Sequence, residues 1–157
     1  MDGSLLNTKA KKIAAVTIAA AALAAPFEGE VLTPYQDIGG VLTVCDGHTG
    51  NDIQHKRYTK EECRHLLQND MRNAVLSVDR CHPDLPYNVW VAMGDLAYNE
   101  GAGKVCSGII NYYLTRKDYP NACRSMLRFN HVNSKEVRGL TRRRQKDYEI
   151  CLTPSSE

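Results

Sequence analysis

The sequence is short of the features that mark a nucleic-acid, metal or redox protein. One Trp and two Phe among 157 residues are too few for an aromatic platform that stacks bases. A formal net charge of only +2 provides no overall field to draw the chain to a polyanion. The crowding of Arg138, Arg142, Arg143, Arg144 and Lys146 near the C-terminus reads as a solvated helix face, so no nucleic-acid partner is expected. There is no Cys-x-x-Cys. His48, His55, His65, His82 and His131 show neither the i, i+4 pairing nor the cysteine company of a zinc site, so no metal or other cofactor is expected. Internal repeats are lacking, and low complexity is confined to one alanine-rich stretch, which excludes a solenoid.

What is present is ordinary for a globular protein: 43% hydrophobic and 24% charged residues, in a length that suits one domain with a real core. A monomer is expected. Cys45, Cys63, Cys81, Cys106, Cys123 and Cys151 are even in number and widely spread. They read as three disulfides in an oxidising compartment, against the alternative of six buried thiols in the cytosol.

An export route lies at the N-terminus. Lys9, Lys11 and Lys12 precede residues 13–27, which carry no charge and end at Glu28. That profile is an export signal, yet it is shorter than the roughly 20 residues of a stable transmembrane helix and weakly apolar through its alanines. Such a segment can enter a membrane and leave again. Ala22-Leu23-Ala24 also has the small-x-small form of a cleavage site. Cleavage there would leave Glu28 beside a fraying terminus, so retention is favoured.

Further along, residues 35–58 are rich in Gly, Asp and Thr, and Val41 to Val44 after Gly39-Gly40 predict a small β region. Thr59 and Glu62 form a capping box that starts a helix. Its stripe runs through Cys63, Leu66, Leu67, Met71, Ala74, Val75 and Val78 and includes Asp70. A carboxylate turned inward needs a partner, and His48 is the candidate. Further helices are expected over 86–98, 107–114, 118–130 and 140–152, with Asn99 to Gly103 stopping the first of these. The fold class is α+β, mainly α.

Glu28 closes an apolar helical segment, which favours a neutral carboxyl, whereas Asp37 lies in a Gly-rich polar turn, which keeps it ionised. One acid and one water-activating carboxylate are what an inverting glycosidase needs. Spacing alone proves little. The run from Phe27 to Asp37 (FEGEVLTPYQD), followed by Gly40 to Gly50 (GVLTVCDGHTG), resembles the phage lysozymes of glycoside hydrolase family 24, especially lambdoid endolysins with a signal-arrest-release segment. That family's pattern of Glu, eight residues, Asp, five residues, Thr is met by Glu28, Asp37 and Thr43. The resemblance continues through Tyr58 to Asp70, Leu96 to Gly103 and Gly139 to Arg144, about residues 27–152.

The resemblance implies a lysozyme-like fold, with a small β region in the N-terminal lobe and a helical C-terminal lobe. It implies hydrolysis of the β-1,4 bonds of bacterial peptidoglycan with inversion: Glu28 as acid, Asp37 and Thr43 on the water. The chain then divides into an export segment (1–27), a catalytic domain (28–152) and a tail (153–157). It also implies a His48 to Asp70 ion pair, substrate contacts from Tyr35, Asn99, Gly101 and Arg142, and an arginine of 142–144, Arg142 by preference, near Glu28. The disulfides it suggests are Cys45 to Cys63, Cys81 to Cys106 and Cys123 to Cys151, one choice among fifteen. The expected setting is the periplasm of a phage-infected or prophage-carrying bacterium, with residues 9–27 transiently in the inner membrane.

Three departures from the family stand out. Cys45-Asp46 occupies a place usually held by Gly-Tyr or Gly-Phe; Phe129 replaces a Trp; and His131-Val132-Asn133 replaces a glycine pair. Asp46 adds a carboxylate near the cleft, but only Asp37 keeps the spacing. Glu30 reads as a solvated neighbour. Two alternatives stay open: a lytic transglycosylase, for which Asp37 and Thr43 would be dispensable, and a non-catalytic glycan-binding lysis regulator.

Overall fold

A computed structural model describes residues 3–154. The residues 155–157 of the expected tail, like Met1 and Asp2, lie outside that range. The chain opens with α1 (Gly3–Ala24), which passes into a 3-10 turn (Ala25–Phe27) containing Pro26. The uncharged stretch is therefore extended by the lysine-bearing turns before it. Thr8–Phe27 is long and apolar enough to cross a membrane, with a hydropathy of 1.4. In the folded molecule this same helix is a core element. Val16, Ala20, Ala21, Leu23 and Ala24 are buried against α2 (Lys60–Cys81) and α3 (Tyr87–Glu100).

The approach of these three helices depends on small residues. A Cβ on Gly94 of α3 would stand 3.1 Å from Val75 Cγ2 and 3.7 Å from Ala20 Cβ. At the far end of α1, Lys9 Nζ is 2.8 Å from Asp79 of α2 and 5.1 Å from the Trp90 ring centroid. The indole N–H of Trp90 donates to the Val75 carbonyl at 3.0 Å.

Between α1 and α2 lies an antiparallel sheet of β1 (Val31–Gln36), β2 (Leu42–Cys45) and β3 (His48–Thr49). Thr43 pairs with Tyr35 on one side and with Thr49 on the other. The capping box forms as expected: Glu62 N–H donates to Thr59 Oγ1 and Thr59 N–H to the Glu62 carboxylate. Val44, Cys45, Ile53, Tyr58 and Cys63 make a small apolar cluster under the sheet, separate from the main core around Met71, Val75, Met93, Leu96 and Met126.

The remaining helices are α4 (Gly103–Cys106), α5 (Gly108–Thr115), α6 (Tyr119–Ser125) and α7 (Arg138–Leu152). The helix expected over 118–130 ends sooner, because a 3-10 turn (Met126–Arg128) follows α6. A short hairpin, β4 (His131–Val132) and β5 (Lys135–Glu136), then turns at Asn133 and Ser134, both with positive φ. Disulfides join Cys45 to Cys63, Cys81 to Cys106 and Cys123 to Cys151. They tie β2 to α2, α2 to α4 and α6 to α7.

Candidate active site

A cleft of about 490 Å³ runs between the sheet and the helices, lined among others by Glu28, Asp46, Thr49, Asp70, Tyr98 and Asn99. Glu28 reaches it because the 3-10 turn after α1 ends there, its own N–H donating to the Ala25 carbonyl at 3.3 Å. The Glu28 side chain keeps 19% of its exposure, enough to meet a ligand and little enough to lose most of its water.

Behind Glu28 stands Arg143, whose Nη1 donates to Glu28 Oε1 at 2.6 Å. Its other nitrogens are held by Asp95 of α3, through Nε at 3.1 Å and Nη2 at 2.7 Å. Bidentate pairing of this kind fixes the guanidinium plane, and Arg143 stays charged. The arginine beside Glu28 is therefore Arg143, not Arg142. Helical periodicity explains the correction: Arg143, Arg144 and Asp147 share the buried face of α7, and Arg142 is exposed. Arg144 lies 3.0 Å from Asp147, 3.6 Å from Asp95 and 3.8 Å from Glu100. Burial, reinforced by the neighbouring Asp95 charge, pushes the Asp147 carboxyl up to about 10. The two arginines face Asp95, Glu28, Asp147 and Glu100.

Asp37 and Thr43 occupy the β1–β2 hairpin, and neither lines the cleft. Asp37 is exposed just beyond β1, and its Oδ1 accepts from the Val41 N–H at 2.9 Å, which sets the carboxylate's orientation. Thr43 is buried, with its hydroxyl donating to the Val41 carbonyl at 2.9 Å. Its pairing with Thr49 puts the two side chains on the same face of the sheet, and Thr49 does line the cleft.

Asp70 is turned toward the cleft rather than the core. Its Oδ2 is 2.7 Å from His48 Nδ1, and Asp52 Oδ1 is 2.9 Å from His48 Nε2. Burial opposes charge on the imidazole, but the hydrogen bonds and charges of Asp70 and Asp52 overcome it and raise the His48 pKa. Asn99 lines the cleft, and its buried Oδ1 has no hydrogen-bond partner among the described residues. Gly101 ends α3 at φ 98°, a conformation that L side chains rarely adopt. Tyr35 is half exposed on β1, away from the cleft lining.

Sequence reasoning missed Asp95 and Asp147. For Asp95 the available signal was a carboxylate on an otherwise apolar helix face, the same signal that flagged Asp70; Asp147 shares its buried face with Arg143 and Arg144 and carries no such signal. Asp46 ranked below Asp37 by spacing, but it is the one of the two that lines the cleft. Among the described residues no group of three or more potential metal ligands occurs.

The phage lysozyme family model matches residues 25–147. A SAR-endolysin of Enterobacteria phage P21 is 36% identical over 145 residues, spanning 88% of both chains. Among solved structures, the active form of the P1 phage endolysin Lyz superposes with a TM-score of 0.75 at 24% identity, over 85% of this chain and 83% of that one. The muramidase domain of SpmX from Asticaccaulis excentricus gives a TM-score of 0.77 at 24% identity, over 87% and 96%. These two share the α+β, lysozyme-like fold. With a family match over most of its length and a relative of this identity, the chain belongs to the phage lysozyme family.

Proposed function

We propose that the protein is an endolysin: a lysozyme (N-acetylmuramidase) that hydrolyses the β-1,4 bonds between N-acetylmuramic acid and N-acetylglucosamine in bacterial peptidoglycan, with inversion. The observation that carries this reading is Glu28, a cleft-lining carboxyl held by the buried Arg143–Asp95 pair, in a chain of this family. Glu28 protonates the glycosidic oxygen as the bond to the anomeric carbon breaks. A water oriented by Asp37 and Thr43 attacks from the opposite face and gives up its proton to Asp37. Of the residues expected at the glycan, Asn99 lines the cleft and is proposed to meet it.

The first helix supports a membrane-tethered start. Thr8–Phe27 has the length and hydropathy of a membrane span, relatives are SAR-endolysins, and in the folded protein the same residues bury Val16, Ala20 and Ala24. In the membrane, α1 is withheld from the core and Glu28 from Arg143. Depolarisation frees the segment into the periplasm, where it docks and delivers the acid. No cysteine falls within 13–27, so disulfide exchange from this segment plays no part. The phage-encoded protein then acts as a monomer on the wall.

The test is by substitution. Glu28→Gln is expected to abolish wall clearing and Asp37→Asn nearly to abolish it, with circular dichroism unchanged. Asp46→Asn is expected to matter far less, and a greater loss there than at Asp37 would reverse their roles. Equal lysis in energised and depolarised cells, with the segment already outside, would remove the tether.

A further inference from the structure

Asp46 is the residue at which this chain has put a carboxyl on the cleft wall, and nothing in the hydrolytic reading uses it. It sits between Cys45 and Gly47, both at positive φ, where the hairpin bends sharply between β2 and β3. That bend fixes the direction of the side chain. Asp46 retains 8% of its exposure, and what remains opens into the cleft that Glu28 shares. Its backbone carbonyl is engaged, accepting from the Tyr98 hydroxyl at 3.1 Å. Its carboxyl makes no hydrogen bond among the described residues, and its oxygens are not fully enclosed, which leaves them free to meet a ligand in the cleft.

We propose that the Asp46 carboxyl is a substrate-holding group that donates a hydrogen bond to an acceptor on the bound glycan such as an N-acetyl carbonyl. The proposal rests on the glycan-hydrolase reading above and adds to it a specificity residue outside the Glu28, Asp37 and Thr43 set.

The surroundings favour the neutral form. Glu28 faces the residue from the end of the 3-10 turn. Glu30 precedes Val31, which pairs with Cys45. Asp70 on α2 and Tyr98 on α3 line the same cleft. His48, two residues on, is committed to Asp70 and Asp52, and the Arg143 cation is committed to Glu28 and Asp95. Burial first, then the Glu30 and Glu28 charges, push Asp46 up to about 6. Burial and the same carboxylates raise Tyr98 well above its ordinary value, so its hydroxyl remains the donor that anchors the Asp46 backbone. Below about pH 6, Asp46 can donate to the sugar. Above it, the group becomes one more negative charge beside Glu28 and Glu30.

The experiment is steady-state kinetics of the full chain, in its released form, on soluble uncrosslinked peptidoglycan glycan from pH 5 to 8. Wild-type KM is expected to rise through pH 6. Asp46→Ala is expected to raise KM about tenfold at pH 5, the scale of one lost buried hydrogen bond, with kcat within about twofold. Asp46→Asn, which keeps a donor but cannot titrate, is expected to restore the low KM and flatten its pH dependence. An Asp46→Asn profile that still rises like wild type overturns the proposal. So does an Asp46→Ala enzyme altered only in thermal stability, or one damaged in kcat rather than KM. Absence of hydrolysis by the wild type under all conditions would instead sink the parent reading.

Discussion

Arg143 gives three nitrogens to two carboxylates, and the division between them is unequal: two bonds to fully buried Asp95 and one to Glu28. The guanidinium is therefore fixed by Asp95 independently of its bond to Glu28. Removing Asp95 leaves a buried cation short of compensation, which typically costs about 3–5 kcal/mol. Asp95→Ala is expected to lose stability on that scale in urea denaturation, and Asp95→Asn less. His48 makes the second residue-level prediction. Its pKa is raised in the fold, so its contribution is complete below the unfolded value of about 6.5 and is lost as pH rises through the folded value. Asp70→Asn should lower the melting temperature by a few degrees at pH 5.5 and by much less at pH 8.5. An equal drop at both would contradict the ion pair's part in holding the β region to α2.

At the scale of elements, the proposed tether makes α1 answer to two environments. A membrane asks only for apolar length, but the core asks for small side chains where α1 meets Gly94. Ala20→Leu separates these demands: it improves membrane partitioning and overpacks the core, which commonly costs about 1–3 kcal/mol. The variant should be exported, persist in the membrane fraction and lyse late; normal lysis timing and normal stability would contradict the docked role. Much of the rest was legible in the sequence. The Thr59–Glu62 box, the stripe from Cys63 to Val78 and the Gly101 stop are local signals that tertiary packing did not override. Three features were not legible. Lys9 reads as a flanking charge, and only the fold gives it Asp79 and Trp90. Asn133 and Ser134 turn a hairpin that periodicity is too short to reveal. The choice of Arg143 over Arg142 depends on the rotation of α7 about its axis, which a run of three arginines leaves undetermined.

Across the whole molecule, the disulfides close loops with sequence separations of 18, 25 and 28, each worth about 3 kcal/mol in the chain-entropy picture. Cys45–Cys63 differs in consequence, because it pins the hairpin of Asp37, Thr43 and Asp46 to α2. The paired Cys45→Ala, Cys63→Ala variant should lose more lytic activity than the Cys123→Ala, Cys151→Ala variant at a temperature where circular dichroism shows both folded. Equal activities would contradict that link. The central claim, that Glu28 works as an acid against a water set by Asp37 and Thr43, is tested most directly by proton NMR of the reducing ends as they are first released from soluble glycan. Inversion of a β-linkage predicts the α anomer ahead of mutarotation. The β anomer, or a 1,6-anhydro product, would contradict it.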